Sequence, residues 1–518
     1  MKRVLLLVVS SILAAACSIA PQRSQQLVND ALQAMGGPIS GVVGLKASMK
    51  VWEPEQSHAP GGEMRFAHEA HIDVIGDLSR GLTRIDWVKN FQYPTTRTFK
   101  FSEIVTPEAG WVIGIDSNFR NKQNRESNPP AHAMSGLRLA NSQRELLRAS
   151  TAVLLAEMRA NPDRLTDAPG NAVGYKRGNV EFIVSFDPQT RLPARIRSLD
   201  YDNVWGDVNF DLVLSDWRTL GALRVAASQK YELNGRVIIE LRVTDASAGA
   251  SIPANHFEPP AAVKAGAPKP ASGNVPYQWV LRRQFIGVYT DSDHVSYDTR
   301  AGTGLRLVEV APGVQHQSGG THHSLVVEMR DHLIVMDAPV DDSQSNWTIK
   351  AAKEKYPGKP IRYLVMTHHH MDHSGGLRAY AAEGATLVVG AGAAGHYRKV
   401  LSAPFTRNPD LASRDLSGTR IMEVADRQVF GDGKREFVAY LIDNPHAAST
   451  LMGYVADARI GYVTDIWSPG AGPLPGKIIP PLAAVVNAVK KAGISPLKFV
   501  GGHGTVFDYA PLERLANQ

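Results

Sequence analysis

Ile361-Arg362-Tyr363-Leu364-Val365-Met366 runs directly into Thr367-His368-His369-His370-Met371-Asp372-His373-Ser374-Gly375-Gly376. The first six residues read as a buried strand, and the Gly pair marks the far side of a tight turn. Between them, His368, His370, Asp372 and His373 fall within six residues. Imidazole nitrogen and carboxylate oxygen are ligands that zinc accepts, and a catalytic zinc keeps three protein ligands and one open position. His-x-His can present two imidazoles on one side of an extended turn to a first ion. The Asp-His that follows can reach a second, and paired ions ~3.5–4 Å apart suit so compact a cluster. His369, between the two spaced imidazoles, reads as a packed residue and not as a ligand.

The remaining ligands of such a centre should close later strands. His446 follows Leu441-Ile442-Asp443 in Asn444-Pro445-His446, Asp465 closes Ile460-Gly461-Tyr462-Val463-Thr464, and His503 follows Phe499-Val500-Gly501-Gly502. The whole set, His-x-His-x-Asp-His, then His, Asp and His, resembles the metallo-β-lactamase superfamily from about Gly304 to the C-terminus. The resemblance implies an αββα fold. It implies that His368, His370 and His446 bind a first metal, that Asp372, His373 and His503 bind a second, and that Asp465 bridges both. Asp337, which closes Leu333-Ile334-Val335-Met336, matches the family's acidic residue beneath the site and is expected to orient a ligand or the motif loop. Two zinc ions are the expected cofactors, although manganese and iron accept the same ligands.

The activity implied is hydrolysis of a small ester, lactone, thioester or amide through a metal-bound hydroxide, with Asp372 as the catalytic proton carrier to the leaving group. Many true β-lactamases have Cys where this chain has Asp465. Asp there resembles glyoxalase II and the quorum-signal lactonases, while intact His370 and His373 speak against the iron-binding flavodiiron branch. A β-lactamase proper is an alternative. His322 and His323, in a Gly-rich loop, read as an exposed pair, with lining of the substrate pocket as the alternative.

The chain begins Met1-Lys2-Arg3, and Val4 to Ala16 is an unbroken apolar or small run. Spanning a bilayer takes ~20 apolar residues, so residues 1–17 read as an export signal. Leu13-Ala14-Ala15-Ala16-Cys17 resembles the bacterial lipoprotein processing site, with Ala14 where Leu is usual. The expectation is a signal peptide and a lipidated Cys17 tethering the protein to a membrane in the periplasm or cell envelope, as an outer-membrane lipoprotein. Cys17 is the single Cys, which excludes a disulfide framework and a thiolate metal cluster. A net charge of +6 among 56 basic and 50 acidic residues is slight, so no nucleic-acid partner is expected.

A length of 518 residues calls for two domains. The stretch 258–278 is rich in Pro, Ala, Gly and Lys and reads as a linker between an N-terminal β-rich domain, 18–257, and the metal-site domain, 279–518. In the first, Gln25–Met35 has a helical apolar face closed by Gly36-Gly37. Leu45–Val51 alternates as a half-buried strand, and Asn234-Gly235 signals a tight hairpin. Ser142 with Glu145 reads as a capping box opening a helix that Asn161-Pro162 stops. A helix followed by a curved antiparallel sheet resembles the lipoprotein-carrier half-barrels of the bacterial envelope. A lipid-anchored carrier with an auxiliary metal domain is therefore a second alternative. The five His of this half (58, 68, 71, 132 and 256) are scattered.

Overall fold

The computed structural model describes residues 20–271 and 304–518, apart from 38, 40, 94–95, 117–130, 179, 221–222, 250, 254, 265 and 408–414. The signal segment and Cys17 lie outside the described residues. Two compact units emerge: Met1–Glu53, Phe66–Asp200 and Val208–Val295 form one, and Pro54–Arg65, Tyr201–Asp207 and Ser296–Gln518 the other. The sequence suggested one boundary at 258–278. The contacts instead give two short segments of the N-terminal half to the metal-site unit.

Among the described residues, the first unit is built on one antiparallel sheet of thirteen strands. Strands Val42–Glu53 and Arg236–Ala248 pair at its middle, with a register shift between Lys46 and Ala47. The expected hairpin joins Leu223–Leu233 to Arg236–Ala248. Asn234 and Gly235 both take positive φ, 49° and 81°, as a right-twisted two-residue turn requires. Helix Ala20–Ala34 buries Val28, Ala31 and Leu32, and Gly36 and Gly37 end it at positive φ. The capping box at Ser142 does not form. The helix opens earlier, at Gly136, where the Ser135 side chain caps the Arg138 amide, and Ser142 is buried within it. The chain then breaks at Ser150, and a second helix, Thr151–Ala160, ends at Asn161. The first helix turns arginines inward: Arg138 pairs with Glu103 and Asp116, and Arg144 with Asp200.

Part of the Pro/Ala/Gly stretch is packed. Ala261–Lys264 forms a short helix whose Val263 is buried among Ile104, Trp111 and Ala131. Further on, the Ala271 amide bonds the Gly136 carbonyl at 2.9 Å. One apolar side chain and one amide suffice to dock a segment without periodicity. Residues 272–278 lie outside the described set.

The second unit has two sheets. The first runs Arg306–Ala311, Val314–Ser318, Ser324–Glu328, Leu333–Met336, Ile361–Val365, Thr386–Gly390 and Ile421–Val424. Its first four strands pair antiparallel and its last three join in parallel. The second runs Arg427–Gly431, Glu436–Ile442, Thr450–Val455, Ile460–Val463, Lys498–Gly501 and Val506–Asp508. Leu325, Ile334, Met336, Val365 and Val388 of the first share a core with Phe437, Leu451, Val455, Tyr462 and Val500 of the second. Each such fully buried side chain contributes ~1.5–3 kcal/mol. Helix Pro480–Ala492 packs Leu482, Val485, Val486 and Val489 onto the outer face of the second sheet beside Ile442, Met452 and Val463. Helix Asp342–Lys355, capped by Asp341, buries Ile349 and Ala352. This is the αββα arrangement, with strand ends at one edge delivering Asp337, Thr367, His446, Asp465 and His503.

Candidate metal centre

The motif loop leaves Ile361–Val365 and enters a single helical turn, Met371–Ser374, with His370 as its N-cap. Gly375 and Gly376 let it fold back. A Cβ at Gly375 would collide with the Val340 carbonyl, and one at Gly376 with the Asp341 carbonyl. Two neighbours carry unusual backbone: Asp337 and Asp465 sit at φ 64° and 58°. Non-glycine residues enter this region at a cost, and such strain concentrates at functional sites.

Eight side chains converge in two groups of four. One is His368, His370, His446 and Asp465; the other is His322, Asp372, His373 and His503; within each group the ligand atoms lie within 4.8 Å of one another. Asp465 joins them. Its Oδ2 is 3.1 Å from His368 Nε2, 3.1 Å from His446 Nε2 and 3.0 Å from His373 Nε2, while Oδ1 is 2.7 Å from His503 Nε2. All seven ligand candidates read from the sequence are thus brought together. His369 is in neither group; its Nε2 is 3.2 Å from Ser57 Oγ and its ring stands edge-on to His396.

The expectation of exposure for His322 and His323 fails. Both are buried, at 3% and 6% exposure. Gln344 holds the His322 carbonyl, and the His323 amide bonds the Gly502 carbonyl, so the loop is stitched inward. His322 Nε2 lies 3.1 Å from Asp372 Oδ2. The sequence also missed the contribution of Pro54–Arg65. Gln56 Nε2 donates to Asp372 Oδ1 at 2.9 Å, and His370 Nε2 donates to the Ser57 carbonyl at 2.9 Å. His58 Nδ1 and the Arg65 guanidinium both reach the His446 carbonyl, so His58 is not a scattered residue. No sequence motif marks these residues; the Pro54 break between two strands was the available signal.

Hydrogen bonds on the outer side decide which nitrogens face inward. His370 spends its N–H on Ser57, leaving a lone pair on Nδ1, 3.0 Å from His446 Nε2. Thr367 donates its hydroxyl to Asp337, so it accepts from His368 Nδ1 at 3.1 Å and leaves Nε2 bare. His503 Nδ1 donates to the Thr321 carbonyl at 3.1 Å. The Asp337 carboxylate receives the Thr367 amide at 2.7 Å and its hydroxyl at 2.8 Å, and lies 3.4 Å from His373 Nδ1.

Burial holds His368 at about 4, against the pull of Asp465, and His322 at about 3, helped by His503. Burial also lowers His370, with His368 and His446 adding to the effect. These imidazoles are therefore neutral, the ligand form. Burial works against ionisation of Asp372 and Asp465, but surrounding imidazoles, His373 foremost, outweigh it and hold both well below the carboxylate range. Burial likewise opposes the charged form of His373, yet Asp465 and Asp372 raise it.

The donor set fits divalent cations. Asp465 Oδ2 is buried with three imidazole nitrogens at hand and no hydrogen-bond partner. Lone pairs of His368 Nε2 and His370 Nδ1 point into the same space. Convergent lone pairs repel one another unless a cation lies between them.

Residues 319–466 match the description of the metallo-β-lactamase superfamily. This region is a metallo-β-lactamase-superfamily domain. The metallo-β-lactamase domain carries the first seven of the eight converging residues within the matched span, and His503 follows it. Among solved structures, a stereoselective inverting sec-alkylsulfatase from Pseudomonas sp. is similar at 14% identity and TM-score 0.32, over 41% of this chain and 40% of that one. A metallo-β-lactamase from Cronobacter sakazakii is similar at 19% identity and TM-score 0.30, over 41% of this chain and 93% of that one. A metallo-β-lactamase from Pontibacter korlensis is similar at 18% identity and TM-score 0.30, over 41% and 97%. The chain thus spans well under two thirds of the alkylsulfatase. A sequence search of curated proteins finds no match.

Proposed function

We propose that the second unit is a two-metal hydrolase, with zinc as the expected ion, acting on a small ester, lactone, thioester or amide. The observation that carries this reading is Asp465, whose two oxygens touch both ligand groups. His368, His370 and His446 would hold one ion, and Asp372, His373 and His503 the other, with Asp465 shared. Bound there, such ions supply Lewis acidity and lower the pKa of water to about 7.

The chain's own residues do the rest. His368, His370 and His373 are closed off, whereas the Asp372, His446, Asp465 and His503 side chains keep 23%, 18%, 14% and 19% of their surface exposed. Substrate therefore enters on that side. Asp372, unprotonated and beside this opening, accepts a proton from the attacking water and returns it to the leaving group. A hydrolysis screen over lactones, thioesters, esters, amides and β-lactams, run with and without chelator, tests the reading. Chelator-insensitive turnover, or no turnover of any class, would overturn it.

A second reading, an apolar-ligand carrier, has one observation in its favour. The first unit holds a cavity of about 250 Å³ lined by Met35, Leu45, Ile72, Trp87, Leu214 and Leu241. Lipid extracted from the purified full chain would support it. We also propose export and lipid tethering through Cys17, which rest on the N-terminal sequence alone. No helix among the described residues is long and apolar enough to cross a membrane.

A further inference from the structure

Pro54–Arg65 leaves the strand Val42–Glu53 and is counted with the metal-site unit. Its first turn, Pro54–Gln56, is buried, and Ser57 is 1% exposed. Glu55 accepts from the Trp205 indole, and Trp205 stands edge-on to His396, which in turn meets His369. The segment is thus braced within this unit, and it presents two polar groups to the ligand set.

The first is the Gln56 amide. A carboxylate only accepts hydrogen bonds, so the nitrogen of Gln56 must face Asp372 Oδ1. That leaves Oδ2, the oxygen beside His322 and His373, to face the second group. The second is the Ser57 carbonyl, which also only accepts. It captures the His370 Nε2 proton and leaves Nδ1 as the donor atom of the first group. Outer partners of this kind set tautomer and orientation, and losing one costs 10–100-fold in metal affinity or activity.

We propose that Pro54–Arg65 is a working part of the metal centre, in which Gln56 and the Ser57 carbonyl are positioning groups that fix which atoms of Asp372 and His370 face the ions. This rests on the metal-hydrolase reading. It predicts that the N-terminal half tunes metal occupancy through a contact that the ligand motif does not contain.

The test uses the full chain with Gln56→Met, which keeps the reach and removes the donor, and Gln56→Ala. Cobalt(II) alone is titrated against a competing chelator, and the visible spectrum is followed. One ion, the one that Asp372 serves, should lose about 10–100-fold in affinity with an altered cobalt spectrum. The other ion and the metal-free melting temperature should hold. Two ions bound by the variants with wild-type affinity and spectrum would overturn the inference. So would equal weakening of both ions with a lower metal-free melting temperature, since that marks a structural role only. Wild-type protein that binds no cobalt would instead overturn the metal-hydrolase reading beneath it. If Gln56→Ala fails to fold, Gln56→Met decides.

Discussion

Asp337→Asn separates the charge beneath the centre from the backbone that carries it. Asp337 is fully buried at φ 64°, a conformation that Asn also adopts readily, so the backbone need not move. The carboxylate accepts from the Thr367 amide and hydroxyl and from Tyr462, whose hydroxyl is 3.3 Å away. Asn keeps one acceptor and turns an NH2 toward the rest. At least one buried donor then lacks a partner, at about 1–3 kcal/mol of metal-free stability. His373 Nδ1 also loses its carboxylate, and the affinity of the ion that His373 serves should fall about 10–100-fold, or about 1.4–2.8 kcal/mol. Urea denaturation of chelator-treated protein reads the first quantity and zinc competition the second. Asp337→Ala should lose a further ~1–2 kcal/mol, because Ala is strained at this φ. If Asp337→Asn keeps wild-type affinity for both ions and stability within about 0.5 kcal/mol, the orienting role assigned to Asp337 is wrong.

His370→Ala should strip the first-group ion, whereas His369→Ala should leave metal content near wild type. Elemental analysis of both variants checks this, and equal loss would mean that the motif has been read out of register. Metal-free protein should lose stability as pH falls from 6.5 toward 4. Burial holds His316, His323 and His368 at about 4, 3 and 4, so below 6.5 the unfolded chain binds protons that the fold refuses. His373, whose folded value is raised, contributes its slope above 6.5 and does not enter that window. Urea midpoints at pH 6.5 and pH 5 measure the difference, and a flat profile between them would contradict it. Cys17→Ser should release the protein from the membrane fraction or block its processing; unchanged fractionation would refute lipid tethering.

The metal-site fold was legible because its signals are local. A hydrophobic run ending in spaced histidines marks a strand end, and the Gly pair marks a backbone contact that a Cβ would block. Asn234-Gly235 was equally readable, since only residues tolerant of positive φ fit that turn. The misses have a common cause, which is long-range pairing. Nothing near Gln56 indicates that its amide will meet a carboxylate 316 positions later. His322 looked exposed because a Gly-rich loop carries no burial signal of its own; Gln344 and Gly502 pull it inward. Ser142 and Glu145 have the right spacing for a cap. The helix starts at Gly136 because Ser135 supplies a cap about two turns earlier.

The most direct test of the central claim is the ion count of the full chain by elemental analysis, wild type beside Asp465→Ala. The wild type should hold about two divalent ions, and the variant should lose both ions together with hydrolysis, because the shared carboxylate serves each group. A wild type with one ion or none, or an Asp465→Ala protein that keeps both, would contradict that claim.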